Sequence, residues 1–397
     1  MSEEIGPLQK FLRGRGMRKL RRDRMALAAL SVIGLYLLIA LSVMAGVLDN
    51  ADVFDRVGPD NVAGFWGTQD GERRLDHHQL RIERVERAAK TTDPTKSLAE
   101  FRLGGLRASA GTPEEVLGRV EEAWRALDAV AAYDELDVSP EVGPLFEELD
   151  AKVAALYEEP AGFAGFVQSL RMSLGTDRQG RSILFRALYS TKVAVQIGVV
   201  ASLISVLLGT LLGAAAGYFG GWVDHAVVWL YSTFSSIPWI VLLMVLAAMF
   251  RGGALDGTLI PVYAAFCMSF WISPCRVVRG EVMKLKELEY VQAASAIGFG
   301  RVRILLKHVV PNTAHLMFIN FSLLFIGAIK AEVILSFLGL GVKNEPSWGV
   351  MINQAKAEVL NGFFWQIGTA TALMVVLVLA FNILSDALQD AFDPKHV

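Results

Sequence analysis

Reactive side chains are sparse among the 397 residues, and few stand together. His77 and His78 are adjacent and could offer two imidazoles to a metal, but no cysteine or further histidine lies nearby. Solvated helix or loop residues are their plain alternative. Cys267 and Cys275, the only cysteines, would lie about 12 Å apart along a helix, too far for a disulfide. Lys330 and Glu332 fall in an apolar stretch, where an ionisable group is expensive and marks function by default. Two residues apart, they project in different directions, and near the outer end of the stretch they could equally reach interfacial water. No nucleophile stands beside a base, and no Gly-x-x-x-x-Gly-Lys-Ser/Thr loop is present to cradle phosphates. The chain reads as one that catalyses nothing itself and binds neither metal nor cofactor.

One segment is instead shaped for mechanical contact. Residues 289–312 read Glu-Tyr-Val-Gln-Ala-Ala-Ser-Ala-Ile-Gly-Phe-Gly, then Arg301 to Lys307, then His308-Val-Val-Pro311-Asn312. The pattern predicts a short amphipathic helix, a turn at Gly298, a second short helix and a stop at Pro311. Ala293 and Ala294 let the first helix approach a neighbour closely. Two readings stand: a helix–turn–helix that docks into a cleft on a soluble partner, or an amphipathic connector lying on a membrane surface.

The elements around it belong in lipid. Apolar residues make up 53% of the chain and charged ones 20%, with mean hydropathy +0.41; soluble chains run nearer 45–50% and about 25%. Charge is segregated. Residues 49–170 hold 25 Asp/Glu against 13 Lys/Arg, a net of −12, and the remainder holds 15 against 25, a net of +10. Six stretches are long and apolar enough to span a bilayer or nearly so: about 25–47, 192–218, 226–249, 258–275, 314–340 and 364–385. Lys10, Arg13, Arg15, Arg18, Lys19, Arg21, Arg22 and Arg24 precede the first, which places that end in the cytoplasm and predicts a permanent anchor rather than a cleaved signal. Alternation then puts 49–190, 250–257 and 341–363 outside, and 219–225, 276–313 and the C-terminus inside. The basic loop 276–313 agrees with its inside placement. The basic flanks suit a lipid bilayer, not nucleic acid.

The external block reads as helical. Val116, Leu117, Val120, Trp124, Leu127 and Val130 recur at helical spacing after a Thr112-Pro113-Glu114-Glu115 start signal, and Leu145, Leu149, Val153 and Leu156 repeat the pattern. In the spans, Gly209, Gly213 and Gly217 line one helical face suited to close packing. Pro238 would break a hydrogen bond inside the third span, as a kink lining a pathway or as a packing kink.

The loop at 289–312 resembles the coupling loop of ABC importer permeases. In that loop a Glu-Ala-Ala triplet is followed after three residues by Gly and later by a Leu-Pro-like ending; here Gln292-Ala293-Ala294, Gly298 and Val310-Pro311 fall at that spacing. Gln292 departs from the usual Glu, keeping a polar contact without its charge. Glu289-Tyr290 and His308-Val-Val-Pro-Asn312 resemble the dipeptide/oligopeptide/nickel subfamily. So do Leu174-Gly-Thr-Asp177-Arg-Gln-Gly-Arg181-Ser182, as in the second (C-type) permease, and Leu335-Ser-Phe-Leu-Gly-Leu-Gly341 with Pro346-Ser-Trp348-Gly349. Phe381-Asn-Ile-Leu384 and the stretch from Asp386 to Pro394 also fit. The resemblance covers 171–397 well, 1–48 loosely and the acidic block not at all.

The resemblance implies an all-α polytopic membrane protein: six transmembrane helices with an ABC-importer permease core, plus a helical extracytoplasmic insertion between helices 1 and 2. Its parts would be a cytoplasmic basic N-terminus (1–24), helix 1 (25–48), the acidic external domain (49–170) and a five-helix core (171–397) carrying the coupling loop at 284–312. Such a chain forms half of a translocation pathway in a prokaryotic plasma membrane. It pairs with a homologous second permease and two ATP-binding subunits, which hold ATP and Mg, and receives solute from an extracytoplasmic binding protein. Glu289, Tyr290, Gln292, Ala293, Ala294, Gly298, Arg301, His308 and Pro311 would form the ATPase-coupling surface. Glu332, Pro238 and Trp348 are gate or pathway candidates. Asp177 and Arg181 would order the segment leading into the second span or face the binding protein, and the glycine face would pack helices, the interface between the two permeases being one place for it. A secondary transporter, or a membrane-anchored sensor with the acidic block as its ligand-binding part, is the alternative.

Overall fold

Helical spacing of apolar residues dictates almost every element. The computed structural model describes residues 20, 22–48, 53–58, 60, 71–94, 96–98, 101–103, 106–133, 136, 141–158, 160–250, 253 and 258–392. The cationic patch from Lys10 to Lys19, with Arg21, lies outside the described residues, as do Asp393 and Pro394. The chain divides into two compact units: Ser42–Tyr189 with Gln354–Thr371, and Met1–Leu41, Ser190–Asn353 and Ala372–Val397.

In the first unit, α2 (Gly71–Thr91), α3 (Pro113–Ala131) and α4 (Val142–Ala154) pack around one apolar core. Ile82 and Val85 are buried there with Val116, Val120, Leu127, Val130, Leu149, Val153 and Leu156 of the stripes that the periodicity marks, while Leu117, Trp124 and Leu145 of those stripes are partly buried against the same core. Thr112 caps α3 reciprocally: its hydroxyl accepts from the Glu115 amide, and Glu115 accepts from the Thr112 amide at 3.0 Å. A two-stranded ribbon, β1 (Arg102–Leu103) with β2 (Leu106–Arg107), precedes α3, and α5 (Gly162–Ser173) follows α4. His77 and His78 are not solvated. Both are buried on α2, with His78 Nε2 2.8 Å from Asp150 Oδ1. Burial, reinforced by Arg81, pushes the His77 imidazole down to about 2.

The other unit is built mainly from long apolar helices. Helix α1 (Arg24–Met44) buries Ala26, Ala29, Ile33, Tyr36 and Ala40 at alternating three- and four-residue steps, and exposes Leu35, Leu38 and Leu41. Helix α6 (Ile183–Phe219) starts nine residues before the predicted span. The predicted third span is not one helix: α7 (Gly221–Ser235) and α8 (Trp239–Ala248) meet at 86° around Pro238. A proline that only removed one bond would kink a helix; here Ser236 and Ile237 leave the helix as well. Helices α9 (Ile260–Phe270) and α10 (Ile272–Leu285) run on as one candidate span.

The stop predicted at Pro311 is absent. After α11 (Glu289–Ala296) and α12 (Arg301–Ile304), the chain stays helical through a π-turn at Leu305–Val309 and a 3-10 turn at Val310–Thr313 into α13 (Ala314–Phe337). The Val310 amide reaches five residues back to Leu305 O. That wider turn, followed by Pro311 in the first turn of the 3-10 segment, accommodates the ring without ending the helix. α14 (Trp348–Leu360) and α15 (Trp365–Phe392) complete the chain. Among the described residues five helices are long and apolar enough to cross a membrane, six if α7 and α8 form one broken span.

Candidate functional site

The loop after α10 is a two-faced element. Val291 and Ala294 of α11 are buried with Val278 and Val282 of α10, Ala214 of α6, and Ile304, Leu305 and Val309. Glu289, Tyr290, Gln292, Ala293, Gly298, Arg301 and Pro311 are exposed, His308 is half-buried, and Ala294 faces inward. Between them lies a bare apolar ridge: Ile297 is 76% and Val302 59% exposed, with Phe299 and Leu306 beside them.

Gly298 sits at φ +89°. Its amide donates to Ser295 O (3.0 Å), and the Phe299 amide donates to Ala294 O (3.2 Å), the paired bonds of a Schellman end. A Cβ at 298 would meet nothing within 4 Å, so glycine is required here by backbone conformation alone. The Gln292 amide group donates to Glu287 O at 3.0 Å, turning the position usually held by Glu into a brace for the helix start. Asn312, in the sequence only the last residue of the motif, is a structural tie. Its Nδ2 donates to Tyr290 Oη (2.8 Å) and to His308 O (2.7 Å), tying α11 to the π-turn. Phe299 stacks on His308 with centroids 6.3 Å apart.

Farther along α13, Glu332 is buried, accepting from Ser336 Oγ at 2.6 Å and bonded also by Ser347. It does not reach interfacial water; Lys330, two residues earlier, is the exposed one. The 335–349 segment folds tightly over it, since a Cβ on Gly349 would meet Ser336 Cβ at 2.6 Å and Val333 Cα at 2.8 Å. Trp348 is fully buried, edge-on to Tyr36 at 6.3 Å. Pro238 lies at the α7–α8 break and lines a cavity of about 540 Å³ together with Ser235, Trp239, Phe270, Ser273 and Arg276.

In the other unit, Asp177 and Arg181 belong to a buried charge network. Asp177 Oδ1 accepts from the Gln179 amide (2.8 Å) and the Arg181 amide (3.0 Å), which shapes the turn before α6. Its Oδ2 takes Arg181 Nε (2.8 Å) and the Arg186 guanidinium. Burial pushes the Asp177 carboxyl up, but Arg186 and Arg181 outweigh that and hold it below the usual range. Both arginines also donate to Gln354 Oε1, at 3.2 and 2.7 Å. Glu358 accepts from the Arg178 amide at 2.9 Å, and burial lifts its carboxyl above the usual range. A cavity of about 370 Å³ opens over this network. Arg186, Gln354 and Glu358 carry no sequence signal that pairs them with residues some 170 positions away.

Among the described residues no group of three His, Cys, Asp or Glu is placed to hold a metal. The model of the family "Binding-protein-dependent transport system inner membrane component" matches residues 209–396, from the end of α6 through every later element. The chain is similar to the dipeptide transport system permease protein DppC of Bacillus subtilis, 36% identical over 56% of this chain and 68% of that protein. It is also similar to the oligopeptide permease OppC of Mycobacterium tuberculosis (33% identical, 56% of this chain and 75% of that protein). The OppC of Escherichia coli is 35% identical, over 56% of this chain and 72% of that protein. The chain belongs to the peptide ABC importer permeases. A chain of the MetNI methionine ABC transporter, solved in inward-facing conformations, aligns with a TM-score of 0.43 and 17% identity over 53% of this chain and 97% of its own. Its family membership and its apolar helices make this permease a multi-pass inner-membrane protein, and the family match covers both the exposed ridge and the buried Glu332.

Proposed function

We propose that this permease forms half of the translocation pathway of an ATP-driven importer for peptides or peptide-like solutes. It pairs with a homologous permease and is driven by two ATP-binding subunits that dock on the 284–312 loop. Solute reaches it from an extracytoplasmic binding protein. ATP and Mg belong to the partner subunits. Both termini face the cytoplasm, 1–24 forms a basic cytoplasmic segment, and 49–170 is an external domain set between helix 1 (25–48) and the 171–397 core. The observation that carries the reading is the two-faced loop: α11 anchors through Val291 and Ala294 while Tyr290, Ile297, Phe299 and Val302 stand exposed around a glycine-dependent turn. Apolar side chains bared on a basic, cytoplasm-facing loop call for a protein partner's cleft. Glu332 and Pro238 are read as gate and pathway residues, and Trp348 as the packing that holds the outer loop.

The test is Gly298→Val in the assembled importer. A β-branched residue at φ +89° is strained by about 1–2 kcal/mol or more, so the turn reshapes while the spans insert normally. ATP-driven uptake of a labelled dipeptide should fall at least tenfold at an unchanged amount of membrane-inserted protein. Uptake at the normal rate would refute the docking role.

A further inference from the structure

Two arginines on α10 reach across to the broken helix. Arg279 grips Asp224 bidentately, Nε to Oδ1 at 2.5 Å and Nη2 to Oδ2 at 2.7 Å. One turn earlier, Arg276 Nη2 donates to Ser235 Oγ at 2.8 Å, and its guanidinium lies 4.7 Å from the Tyr231 ring centroid. Asp224 is in the first turn of α7 and Ser235 is its last residue. The helix is therefore held at both ends, and the second hold lies on the wall of the cavity at Pro238.

On its other side α10 is fused to the docking loop. Val278 and Val282 share a core with Val291 and Ala294 of α11. At its glycines, helix α6 comes up against the backbone of α10: a Cβ on Gly213 would meet Cys275 O at 2.4 Å, and one on Gly217 would meet Arg279 O at 2.7 Å. The glycine face thus packs within this chain. Helix α10 packs on α6 through its backbone and on α11 through a shared apolar core. Helix α7 is held by apolar contacts as well, Val227 with Cys275 and with Trp271 just before α10, and these are non-directional. A bidentate pair fixes register.

We propose that Arg279 and Arg276 are positioning residues that transmit movement of the ATPase-docking loop to the α7–α8 break, with Asp224 and Ser235 as the receiving groups. The inference rests on the docking and pathway readings given above. The experiment uses the complete importer in proteoliposomes, with Cys267→Ser and Trp239→Cys as background; residue 239 lines the cavity and is exposed. ATP hydrolysis is measured together with the rate at which a maleimide labels position 239, with and without ATP and vanadate. In the background protein ATP should change the labelling rate at least fivefold. In Arg279→Gln and in Asp224→Asn that change should shrink to less than twofold while hydrolysis continues within a factor of two. The double variant should be no worse than either single one, because both remove the same link. Ser235→Ala, a milder change that removes only the acceptor of Arg276, should halve the response. A labelling change that survives Arg279→Gln overturns the inference and leaves the importer reading standing. Hydrolysis and labelling falling in proportion, or additive losses in the double variant, would overturn it as well by showing general destabilisation. No ATP response in the background protein would instead overturn the pathway reading on which the inference stands.

Discussion

The sharpest test of the packing is a pair of identical substitutions with opposite expected signs. Gly213→Ala places a Cβ 2.4 Å from Cys275 O and 3.1 Å from both Cys275 C and Arg279 N. These are backbone atoms of a helix, not the ends of flexible side chains, so the two helices must part by about 1 Å to restore ordinary contact. Overpacking of a tight site costs about 1–3 kcal/mol, and a site walled by backbone belongs near the top of that range. Alanine recovers up to about 1 kcal/mol of helix propensity over glycine, leaving a net loss of about 2 kcal/mol. Gly118, on the exposed face of α3, has nothing within 4 Å of its Cβ position. Gly118→Ala should therefore gain up to about 1 kcal/mol. Heating the purified full chain in detergent while following intrinsic fluorescence reads both. The expected shifts are roughly 4–8 °C downward for Gly213→Ala and roughly 2–4 °C upward for Gly118→Ala. A Gly213→Ala protein that melts at or above the wild type would refute the close approach of α6 and α10.

Acidification should weaken the external block. His77 titrates near 6.5 when unfolded and about 2 when folded, so the unfolded chain binds more protons between those values. Stability is complete above pH 6.5 and falls below it by up to about 1.4 kcal/mol per pH unit; melting of wild type and His77→Phe at pH 7 and 4.5 should show a shallower fall in the variant, and equal slopes would refute the assignment. Asp177→Asn leaves Arg181 and Arg186 facing each other with Gln354, and should cost about 3–5 kcal/mol; an unchanged melting midpoint would show that the network does not hold the turn. Thr112→Ala removes one half of a capping box and should cost about 1 kcal/mol, read as earlier amide exchange in the first turn of α3; unchanged exchange would count against the cap.

Legibility in the sequence followed the reach of each interaction. The α3 cap and its apolar stripe are local, and Thr112, Glu115, Val116 and Val120 do in the structure what their spacing predicts. Gly298 was equally legible because its φ is set by the turn itself. Hydropathy marks the third span as apolar but carries no direction, so the 86° bend at Pro238 was out of reach. The rule that proline ends a helix failed at Pro311 because a π-turn, invisible in composition, absorbs the ring. His78 lies four residues before Ile82, on the stripe that α2 buries, so helical phase rather than residue type would have placed it inside. Partners such as Arg186 with Gln354, or Arg279 with Asp224, are chosen by tertiary packing and leave no periodic trace.

The helical run from Arg301 to Phe337 is 37 residues long without a break. At about 1.5 Å per residue it is a rod of about 55 Å, longer than the roughly 30 Å apolar thickness of a bilayer. One end lies in the 284–312 loop, proposed above to dock the ATP-binding subunits, and Glu332 lies near the other. If the rod pivots at Pro311, the arm toward Arg301 is about 15 Å and the arm toward Phe337 about 39 Å. The gearing is then a factor of about 2.6, so a push of about 2 Å at the short arm becomes roughly 5 Å at the far end, in the opposite direction. On the orientation proposed above, an unequal seesaw of this kind would turn a small displacement at the Arg301 end into a swing of about the rise of one helical turn at the Phe337 end.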